Sequence, residues 1–493
     1  MTICKVFDKK IQNQCTFFIV ATTLSAVAYF FSTGIYNYWF LTWLAPIPLL
    51  LYALRATTNS AIFASLIIYI VGFSSGILAY KNTIIPVSTL LYGNMMNAVI
   101  YTIIVMLFRH VALRKEHWSW SFIFASGWTA FEFIVSRHSP AGTLDSMAYT
   151  QIFNLPIIQI ASITGILGIT FLLMLAPASV TLAWHYRKNA KLCLKAIAIP
   201  TSILILILIF GLYRLYLPNQ GSTVKVGMAS INMTMEEMLA RGQQKEAERI
   251  ISRYIHCIDL LSRAGAEVVL LPEKIVRLNL QEQPKLLELL ADTARKNKIM
   301  LIAALDIQED DKRYNSAYLF LPSGETALRY EKQHLLPFSE GHYIAGGKLE
   351  IRDMADKGLW GIAICKDMDF EEPSKGYSQA GVNLLFVSAL DFKTDSLLHA
   401  RVAIMRGVEE NYAVARAAQW GLLSLTDNKG NIIKMVSNAA ANEDVLLIGE
   451  IPLGQGKSIY SRFGDWFGYL SGGLLILLIL FFFYLDKQNT NYK

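Results

Sequence analysis

Long apolar segments are the feature that most constrains how this chain folds. They fill residues 15–213 and return in a short block near 467–485, on either side of a stretch with ordinary globular composition. A helix needs about 20 apolar residues to cross a bilayer core of about 30 Å. Hydrophobic residues make up 54% of the 493 residues, which is high for a water-soluble protein. The sequence therefore predicts a membrane bundle, a globular domain and a closing membrane anchor.

Eight segments are candidate membrane spans, seven before the globular stretch and one after it. They are residues 16–33, 38–54, 61–80, 84–108, 119–136, 155–183, 196–213 and 467–485. The polar segment 137–153 contains Pro and Gly, and we expect a loop there, the alternative being part of a cleft open to lipid. A cleavable signal peptide is not expected, because the first apolar stretch lacks a clear cleavage site and more spans follow it.

Basic residues alternate between the loops that join these spans. The opposite loops carry only Lys81 and Arg137, with Arg214 at the start of the globular stretch. The positive-inside rule places the richer set in the cytoplasm and the globular stretch on the extracytoplasmic side of the membrane. The predicted units are residues 1–215, 216–460 and 461–493. The richer set is Lys5, Lys9, Lys10, Arg55, Arg109, Arg114, Lys115, Arg187, Lys188, Lys191, Lys195, Lys487 and Lys493.

Charge and cysteine usage argue against several other classes of protein. Much of the net charge of +7 lies in these short loops, and no basic-aromatic stripe suggests a nucleic-acid partner. The five cysteines form no CxxC pair and no Cys/His spacing that zinc prefers, so neither a metal nor a cofactor is predicted. Of the five, only Cys257 and Cys365 fall in the globular stretch, where nothing requires a disulfide.

The globular stretch alternates between strand and helix patterns. The segments "YNSAYLFL" and "TALRYEK" flank the turn "PSGE", which predicts a hairpin. Buried strands are predicted at residues 224–230, 266–273, 299–306, 359–365 and 383–389, and helices at 235–263, 282–297 and 395–416. This alternation predicts a layered α/β domain.

Three reactive residues stand where predicted strands end: Glu273, Lys332 and Cys365. Functional sites in α/β folds are built at strand ends, where distant residues meet. A thiol is a nucleophile once it is deprotonated, and Glu273 would accept that proton as a base. Acyl transfer also develops an oxyanion, which the ammonium of Lys332 would stabilise.

Each of these residues also has an ordinary structural interpretation. A cysteine that ends a buried strand is usually a small core residue, a glutamate after proline can cap a helix, and a lysine in a turn is normally solvated. His334, His342 and His399 fall in loop or helix segments, so none is predicted as the base. From the residues alone, a cysteine enzyme and a non-catalytic domain both remain open.

Five motifs nevertheless resemble one known superfamily in type, order and spacing. They resemble the Glu-Lys-Cys signature of carbon–nitrogen hydrolases, the nitrilase superfamily. The motifs are "LLPEK" (270–274), "YEKQHLLPFSE" (330–340), "GIAICKDMDF" (361–370), "ALDF" (389–392) and "MRGVEENYAVARAAQWG" (405–421). The resemblance implies an αββα sandwich, the catalytic residues Glu273, Lys332 and Cys365, and the supporting residues Glu340, Asp367 and Glu409.

The membrane part is similar to one branch of that superfamily, the apolipoprotein N-acyltransferases. The similarity lies in "GWTAFEFIVSR" (127–137), "YTQIFNLPIIQIASITGILGITFLL" (149–173) and "YSRFGDWF" (460–467). It implies a multi-span bundle of about eight helices joined to the nitrilase-like domain. It also implies acyl transfer from a phospholipid donor, through a thioester on Cys365, to the N-terminal diacylglyceryl-cysteine amine of a lipoprotein acceptor.

Some motifs depart from the pattern of that family. Lys366 and Asp367 follow the nucleophile where the family usually has Tyr-Glu, and "AGTL" (141–144), "ALDF" and "PEK" differ as well. These departures leave open a membrane-tethered amidase or an N-acyltransferase with another amine acceptor. A third interpretation, a non-catalytic scaffold or transporter, is opposed by the scarcity of charged residues within the spans, where Glu132 is the exception.

Overall fold

The computed structural model of the chain forms two compact units. The first comprises the described residues up to Ser139, Asp145–Tyr213 and those from Asp465 onward, and the second comprises Pro140–Leu144 and Arg214–Gly464. The described residues are 2–81, 83–219, 221–278, 281–440 and 442–490, without the side chains of 2–13, 489 and 490. The predicted cytoplasmic residues Lys5, Lys9, Lys10 and Lys493 therefore have side chains outside the described part.

The first unit is helical. Among the described residues it contains eleven helices that precede the second unit and a final helix, Trp466–Thr490, that follows it. These are α1 (Thr2–Ser32), α2 (Trp39–Leu44), α3 (Pro46–Ala53), α4 (Thr58–Gly72), α5 (Ser74–Tyr80), α6 (Val87–Arg114), α7 (Ser121–His138), α8 (Leu155–Ile158), α9 (Ala161–Thr164), α10 (Ile166–His185) and α11 (Ala190–Tyr216).

Within the described ranges, six helical segments are long and apolar enough to cross a membrane. They are Gln14–Ser32, Thr58–Tyr80, Val87–Arg114, Ile166–His185, Ala190–Tyr216 and Trp466–Gln488. The predicted span 38–54 is instead the short pair α2 and α3, and the predicted span 119–136 matches α7, which is not among the six. The predicted class, a multi-span bundle, is thus confirmed, while the count of about eight is approximate.

The predicted span 155–183 is interrupted. Gly165, with φ 66° and ψ −173°, separates α9 from α10 in a conformation that glycine adopts most readily. The polar segment before it is not an open loop throughout, because Met147–Gln151 form a buried 3-10 helix. The loop prediction is therefore wrong for these five residues.

Glu132, buried in α7, holds that segment in place. Its Oε1 accepts hydrogen bonds from Trp128 Nε1 at 2.9 Å and from the backbone N–H of Met147 at 3.1 Å. Its Oε2 accepts from the hydroxyls of Ser146 and Thr170, both at 2.7 Å. A buried carboxyl is tolerated when its acceptors are satisfied in this way. Glu132 thus ties α7 to the 3-10 segment and to α10.

The second unit contains the β-structure and six further helices among the described residues. Its helices are α12 (Met235–Ala240), α13 (Gln244–Arg263), α14 (Gln283–Asn297), α15 (Ser374–Ala380), α16 (Ser396–Glu410) and α17 (Ile459–Phe463), after which the final helix, α18, belongs to the first unit. Its strands are β1 (Thr223–Ser230), β2 (Val268–Leu270), β3 (Arg277–Leu278), β4 (Met300–Glu309), β5 (Lys312–Phe320), β6 (Thr326–Glu331), β7 (Ile351–Asp353), β8 (Leu359–Ile364), β9 (Leu384–Leu390), β10 (Ala413–Gln419), β11 (Leu422–Thr426), β12 (Ile432–Ser437) and β13 (Val445–Pro452).

Two sheets pack face to face in this unit. One has the order β13-β1-β2-β4-β5-β6, with β3 on β4, and the other has the order β12-β11-β10-β9-β8-β7. The Ser388 hydroxyl donates to the Leu271 carbonyl at 2.8 Å, which joins the sheets directly. Helices α13 and α14 pack on the first sheet and α16 on the second. The predicted αββα sandwich and the hairpin of β5 and β6 are confirmed.

The sequence dictates these layers through the spacing of apolar residues. Helix α13 buries Ile250, Tyr254, Ile258 and Leu261, which recur every three or four residues on one face. The inner strands β8, β9 and β10 run parallel and read as nearly continuous apolar runs, as strands covered on both faces do.

One predicted helix ends early. Helix α16 stops at Glu410 because Asn411 adopts the left-handed conformation, with φ 64°. Residues 413–419 then form β10, paired in parallel with β9, so the prediction of a helix through residue 416 is wrong. The alanines of this strand favour a helix locally, but burial between β9 and β11 decides the outcome.

Replacing Glu132 by Ala tests its role in the first unit. We expect Glu132→Ala to cost roughly 3 kcal/mol, because it leaves the donors of Trp128, Met147, Ser146 and Thr170 without their acceptor. Thermal unfolding of the full chain in detergent measures this as a lower midpoint. The control is Ser136→Ala, whose hydroxyl bonds the Phe133 carbonyl of its own helix. Equal midpoints for the two variants would contradict the assignment.

Candidate active site

The two facing sheets bring the three predicted catalytic residues to one place. Glu273 follows β2, Lys332 follows β6 of the same sheet, and Cys365 follows β8 of the other sheet. The backbone N–H of Glu273 donates to the Ala389 carbonyl at 3.2 Å, across the interface between the sheets. The N–H of Lys332 donates to the Asn315 carbonyl at 2.9 Å, which continues the pairing of β5 and β6. The ends of three strands thus fix the backbone positions of Glu273, Lys332 and Cys365.

Lys332 lies between two carboxylates. Its Nζ donates to Glu273 Oε1 at 2.8 Å and to Glu340 Oε2 at 2.9 Å, and its side chain is only 3% exposed. Burial lowers the pKa of Lys332, but the charges of Glu273 and Glu340 outweigh burial and hold it well above its ordinary value. Lys332 is therefore an ammonium ion at neutral pH.

Asn315 and Lys274, which the sequence analysis did not single out, complete this cluster. Asn315 Nδ2 donates to Glu273 Oε1 at 2.6 Å and to Glu340 Oε1 at 2.9 Å. Lys274 Nζ lies 2.5 Å from Glu340 Oε1. The first half of β5 also contains Lys312, Arg313 and Ser316, so no sequence signal distinguishes Asn315.

Glu340 is anchored by four donors. Besides Lys332, Lys274 and Asn315, the backbone N–H of Leu336 donates to its Oε2 at 2.8 Å. Burial raises the pKa of Glu340, but the charges of Lys332 and Lys274 outweigh burial and hold it well below its usual range. Glu340 therefore stays ionised and keeps both ammonium groups in position.

Cys365 begins a 3-10 turn directly after β8. Its φ is 45°, a backbone conformation that is uncommon outside glycine and that clusters at functional sites. The half-buried side chain places Sγ 3.8 Å from the Leu390 carbonyl. Burial, followed by the charge of Glu273, raises the pKa of Cys365 well above its ordinary value, while Lys332 opposes this. The resting residue is thus a thiol that needs a base.

Asp367 fixes the turn that carries Cys365. Its Oδ2 accepts from the N–H of Ile364 at 2.9 Å and from the Tyr330 hydroxyl at 2.8 Å. Its Oδ1 accepts from the N–H groups of Gln333 at 3.0 Å and His334 at 2.8 Å. Burial raises the pKa of Asp367 to about 6, so it is ionised at neutral pH. One carboxylate therefore ties the end of β8 to the end of β6.

Glu409 lies next to Arg406, on α16. Arg406 Nη1 donates to Glu409 Oε2 at 2.7 Å, and its Nε donates to the Met368 carbonyl at 3.0 Å. Its Nη2 donates to the Thr143 hydroxyl at 3.0 Å, and the backbone of Thr143 donates to the Asp369 carbonyl at 2.8 Å. Glu409 thus supports the turn of Cys365 through Arg406, and "AGTL" packs against the same turn.

Two further ion pairs flank the cysteine. Asp391 and Arg416 form a buried double contact, with Nη2–Oδ1 at 2.6 Å and Nη1–Oδ2 at 3.1 Å. His399 Nε2 lies 2.9 Å from Asp395 Oδ2, and Nδ1 lies 4.0 Å from Asp369 Oδ1 in the turn of Cys365. Burial lowers the pKa of His399, but these aspartates outweigh it and raise the pKa to about 9.

Comparison with known proteins covers both units. Residues 25–179 match the family model described as the apolipoprotein N-acyltransferase N-terminal domain, and residues 226–460 match the model described as carbon-nitrogen hydrolase. The chain is 27% identical over 486 residues to the apolipoprotein N-acyltransferase of Geobacter metallireducens, covering 90% of this chain and 91% of that one. It is 27% identical over 418 residues to the apolipoprotein N-acyltransferase of a Nostoc species, covering 78% and 80%.

A solved structure is similar to part of the chain. It is Nit3 of Saccharomyces cerevisiae, a member of branch 10 of the nitrilase superfamily. The sequence identity is 19% and the TM-score is 0.38, with 47% of this chain and 90% of that chain covered.

Replacing Asp367 by Asn tests its role as the link between strand ends. We expect Asp367→Asn to cost about 2–4 kcal/mol, because an amide cannot accept from donors on both sides as a carboxylate does. We also expect slower alkylation of Cys365 by iodoacetamide, since its turn loses an anchor. The measurements are the thermal midpoint and mass spectrometry of the Cys365 peptide. Asp353→Asn, at the exposed carboxylate that ends β7, is the control. Unchanged alkylation in Asp367→Asn would refute the link.

The raised pKa of His399 predicts how the stability of the protein depends on pH. Its folded pKa of about 9 lies above the ordinary value of 6.5, so the folded state binds the proton more tightly than the unfolded state does. The stabilisation is therefore complete below pH 6.5 and is lost as the pH rises through about 9. We expect the thermal midpoint to fall across this window, and His399→Gln to flatten the fall. His256→Gln, on the exposed face of α13, should leave the pH profile as it is.

Proposed function

Because this chain belongs to the apolipoprotein N-acyltransferase family, we propose that it moves an acyl chain from a phospholipid to the amine of the N-terminal diacylglyceryl-cysteine of a lipoprotein, through a thioester on Cys365. The observation that carries the proposal is the position of Lys332. Its ammonium contacts Glu273 and Glu340, and its charge favours the thiolate form of Cys365. The two family models that match are its other support, because together they span both units of the chain.

In the first half-reaction, Glu273 removes the Sγ proton of Cys365. The thiolate attacks the carbonyl carbon of the phospholipid ester, and the electron pair moves to the carbonyl oxygen. The ammonium of Lys332 stabilises that oxyanion. The C–O bond to the glycerol oxygen then breaks, and Glu273 returns its proton to the leaving alkoxide. A lysophospholipid leaves, and the acyl group remains on Sγ.

In the second half-reaction, the neutral α-amine of the acceptor attacks the thioester. Glu273 accepts a proton from the attacking nitrogen, and Lys332 again stabilises the oxyanion. The C–S bond breaks as the amide forms, and the proton on Glu273 passes to the departing thiolate. The Cys365 thiol is thereby restored, and atoms and charges balance over the cycle.

Glu340, Asp367 and Glu409 act in this scheme as positioning residues. Glu340 holds Lys332, Asp367 joins the turn of Cys365 to the strand end of Lys332, and Glu409 acts on that turn through Arg406. The alternating basic loops favour a cytoplasmic-membrane location with residues 214–466 on the periplasmic side. Both lipid substrates would then reach the site from the membrane.

The comparisons do not favour the alternative of a membrane-tethered amidase. The match over residues 25–179 is to the N-terminal domain of the acyltransferases and lies outside the hydrolase domain. The two interpretations differ in product, since an amidase releases ammonia from a small amide, whereas transfer yields lysophospholipid only as acceptor is consumed.

Cys365→Ala tests the nucleophile. The full chain in detergent is incubated with phosphatidylethanolamine, and we expect an added acyl mass on the Cys365 peptide of the wild type but none in the variant. Glu273→Gln should slow acylation by about 10²-fold or more, because the thiol loses its base. Cys257→Ala, at the other cysteine of this domain, is the matched control and should acylate normally.

The same variants extend the test to cells. The wild-type gene should restore triacylated lipoprotein in bacteria that lack their own N-acyltransferase, and Cys365→Ala should not. Restoration by Cys365→Ala, or ammonia release from a small amide without acceptor-dependent lysophospholipid, would overturn the proposal.

A further inference from the structure

We propose that Lys274 is a positioning residue of this reaction, a second cation that balances Glu340 and so leaves the charge of Lys332 available to Cys365. The inference rests on the function proposed above, because it concerns the same site. It gives a role to the lysine of "PEK", which the proposed mechanism does not use.

The position of Lys274 is specific. It follows Glu273 directly, is 8% exposed, and has φ 49°, in the left-handed region that few non-glycine residues adopt. Its Nζ lies 2.5 Å from Glu340 Oε1 and 4.0 Å from Glu273 Oε1. The ring centre of Tyr343 lies 5.4 Å from the same nitrogen, and the Tyr343 hydroxyl is bound to Asp306 at 2.7 Å. The ammonium therefore lies between two carboxylates and an aromatic ring.

Charge balance explains why a second cation matters here. Glu273 and Glu340 carry two negative charges, and Lys332 and Lys274 carry two positive ones, so the buried cluster is neutral while Cys365 is a thiol. Without Lys274, two carboxylates would share one ammonium, and an incompletely paired buried charge is costly.

This imbalance of charge would also affect the ionisation of Cys365. A cluster with one more negative charge disfavours the Cys365 thiolate, because like charges repel. The negative charge of Glu273 already disfavours the thiolate, and the positive charge of Lys332 favours it. Other charged groups near these residues are Asp367, whose charge interacts with Lys332, Arg241, whose charge interacts with Glu273, and the pair of Asp391 and Arg416, whose charges interact with Cys365. None of these four is a hydrogen-bond or ion-pair partner of Glu340 in the described part of the chain, so Lys274 is the cation that compensates it beside Lys332.

The competing explanation is that Lys274 and Glu340 form a purely structural salt bridge. The pH profile of Cys365 alkylation distinguishes the two explanations. The test measures iodoacetamide alkylation of the Cys365 peptide between pH 6 and pH 10, on the full chain in detergent. We expect Lys274→Met to move the profile about one pH unit toward alkaline pH, which is roughly a tenfold lower rate at a fixed pH. Lys274→Arg should keep the wild-type pH profile, because arginine also carries a positive charge.

Two variants complete the design. Lys357→Met removes a lysine that pairs with Glu267 elsewhere in the same domain, and it should leave the profile unchanged. Lys274→Gln keeps an amide donor for Glu340 without the charge, so it gives the same comparison if Lys274→Met fails to fold. A wild-type profile in either neutral variant overturns the inference, as does a shift that Lys274→Arg does not reverse.

Acyl-thioester formation from phosphatidylethanolamine, followed over the same pH range, separates this inference from the proposed function. If the wild type forms no thioester, the proposed function fails even when the alkylation profiles differ. If the wild type forms the thioester and the neutral variants match its pH profile in both assays, the role of Lys274 fails and the proposed function stands.

Discussion

The ammonium of Lys332 between Glu273 and Glu340 is the interaction on which the rest of the site depends. Removing an ion pair from water costs several kcal/mol per charge, so such a cluster persists where geometry and further hydrogen bonds repay that cost. Here Asn315 and Leu336 supply the further donors. The cluster is built from the first sheet and the loop after it, while Cys365 is carried by the second sheet. The face-to-face packing of the sheets is therefore a condition of the chemistry.

The departures that follow Cys365 have a structural explanation. Asp367 uses all of its acceptor capacity on the ends of β6 and β8, and so fixes Lys332 and Cys365 relative to each other. Lys366 lies 3.4 Å from Asp369 and contributes to the same turn. These two residues can therefore affect the position of Cys365, the proposed nucleophile, as well as the choice of amine acceptor.

Much of the architecture follows from local patterns, whereas the detail of the site does not. The apolar pattern predicts α13 from its one buried face, the inner strands from continuous apolar runs, and the multi-span class from the length of the apolar segments. It fails at Asn411, where a left-handed residue ends α16, and at Gly165, where a backbone break divides a single apolar run. The order of Glu273, Lys332 and Cys365 is visible in the sequence. The contact of Lys274 with Glu340 is not, because it joins residues 66 positions apart and leaves no periodic signal.

Three buried carboxylates in this chain follow one rule and serve two purposes. Glu132, Asp367 and Glu340 each accept four hydrogen bonds, as a buried carboxylate must to offset its loss of water. The donors to Glu132 and Asp367 are neutral, so those two groups fix backbone and side chains in place. Two of the four donors to Glu340 are ammonium groups, and a charged donor adds a field that extends beyond its own contact. That difference in donor chemistry is the basis for the proposed control of the Cys365 thiol by the Glu340 cluster, whereas neutral donors give the other two carboxylates a structural role.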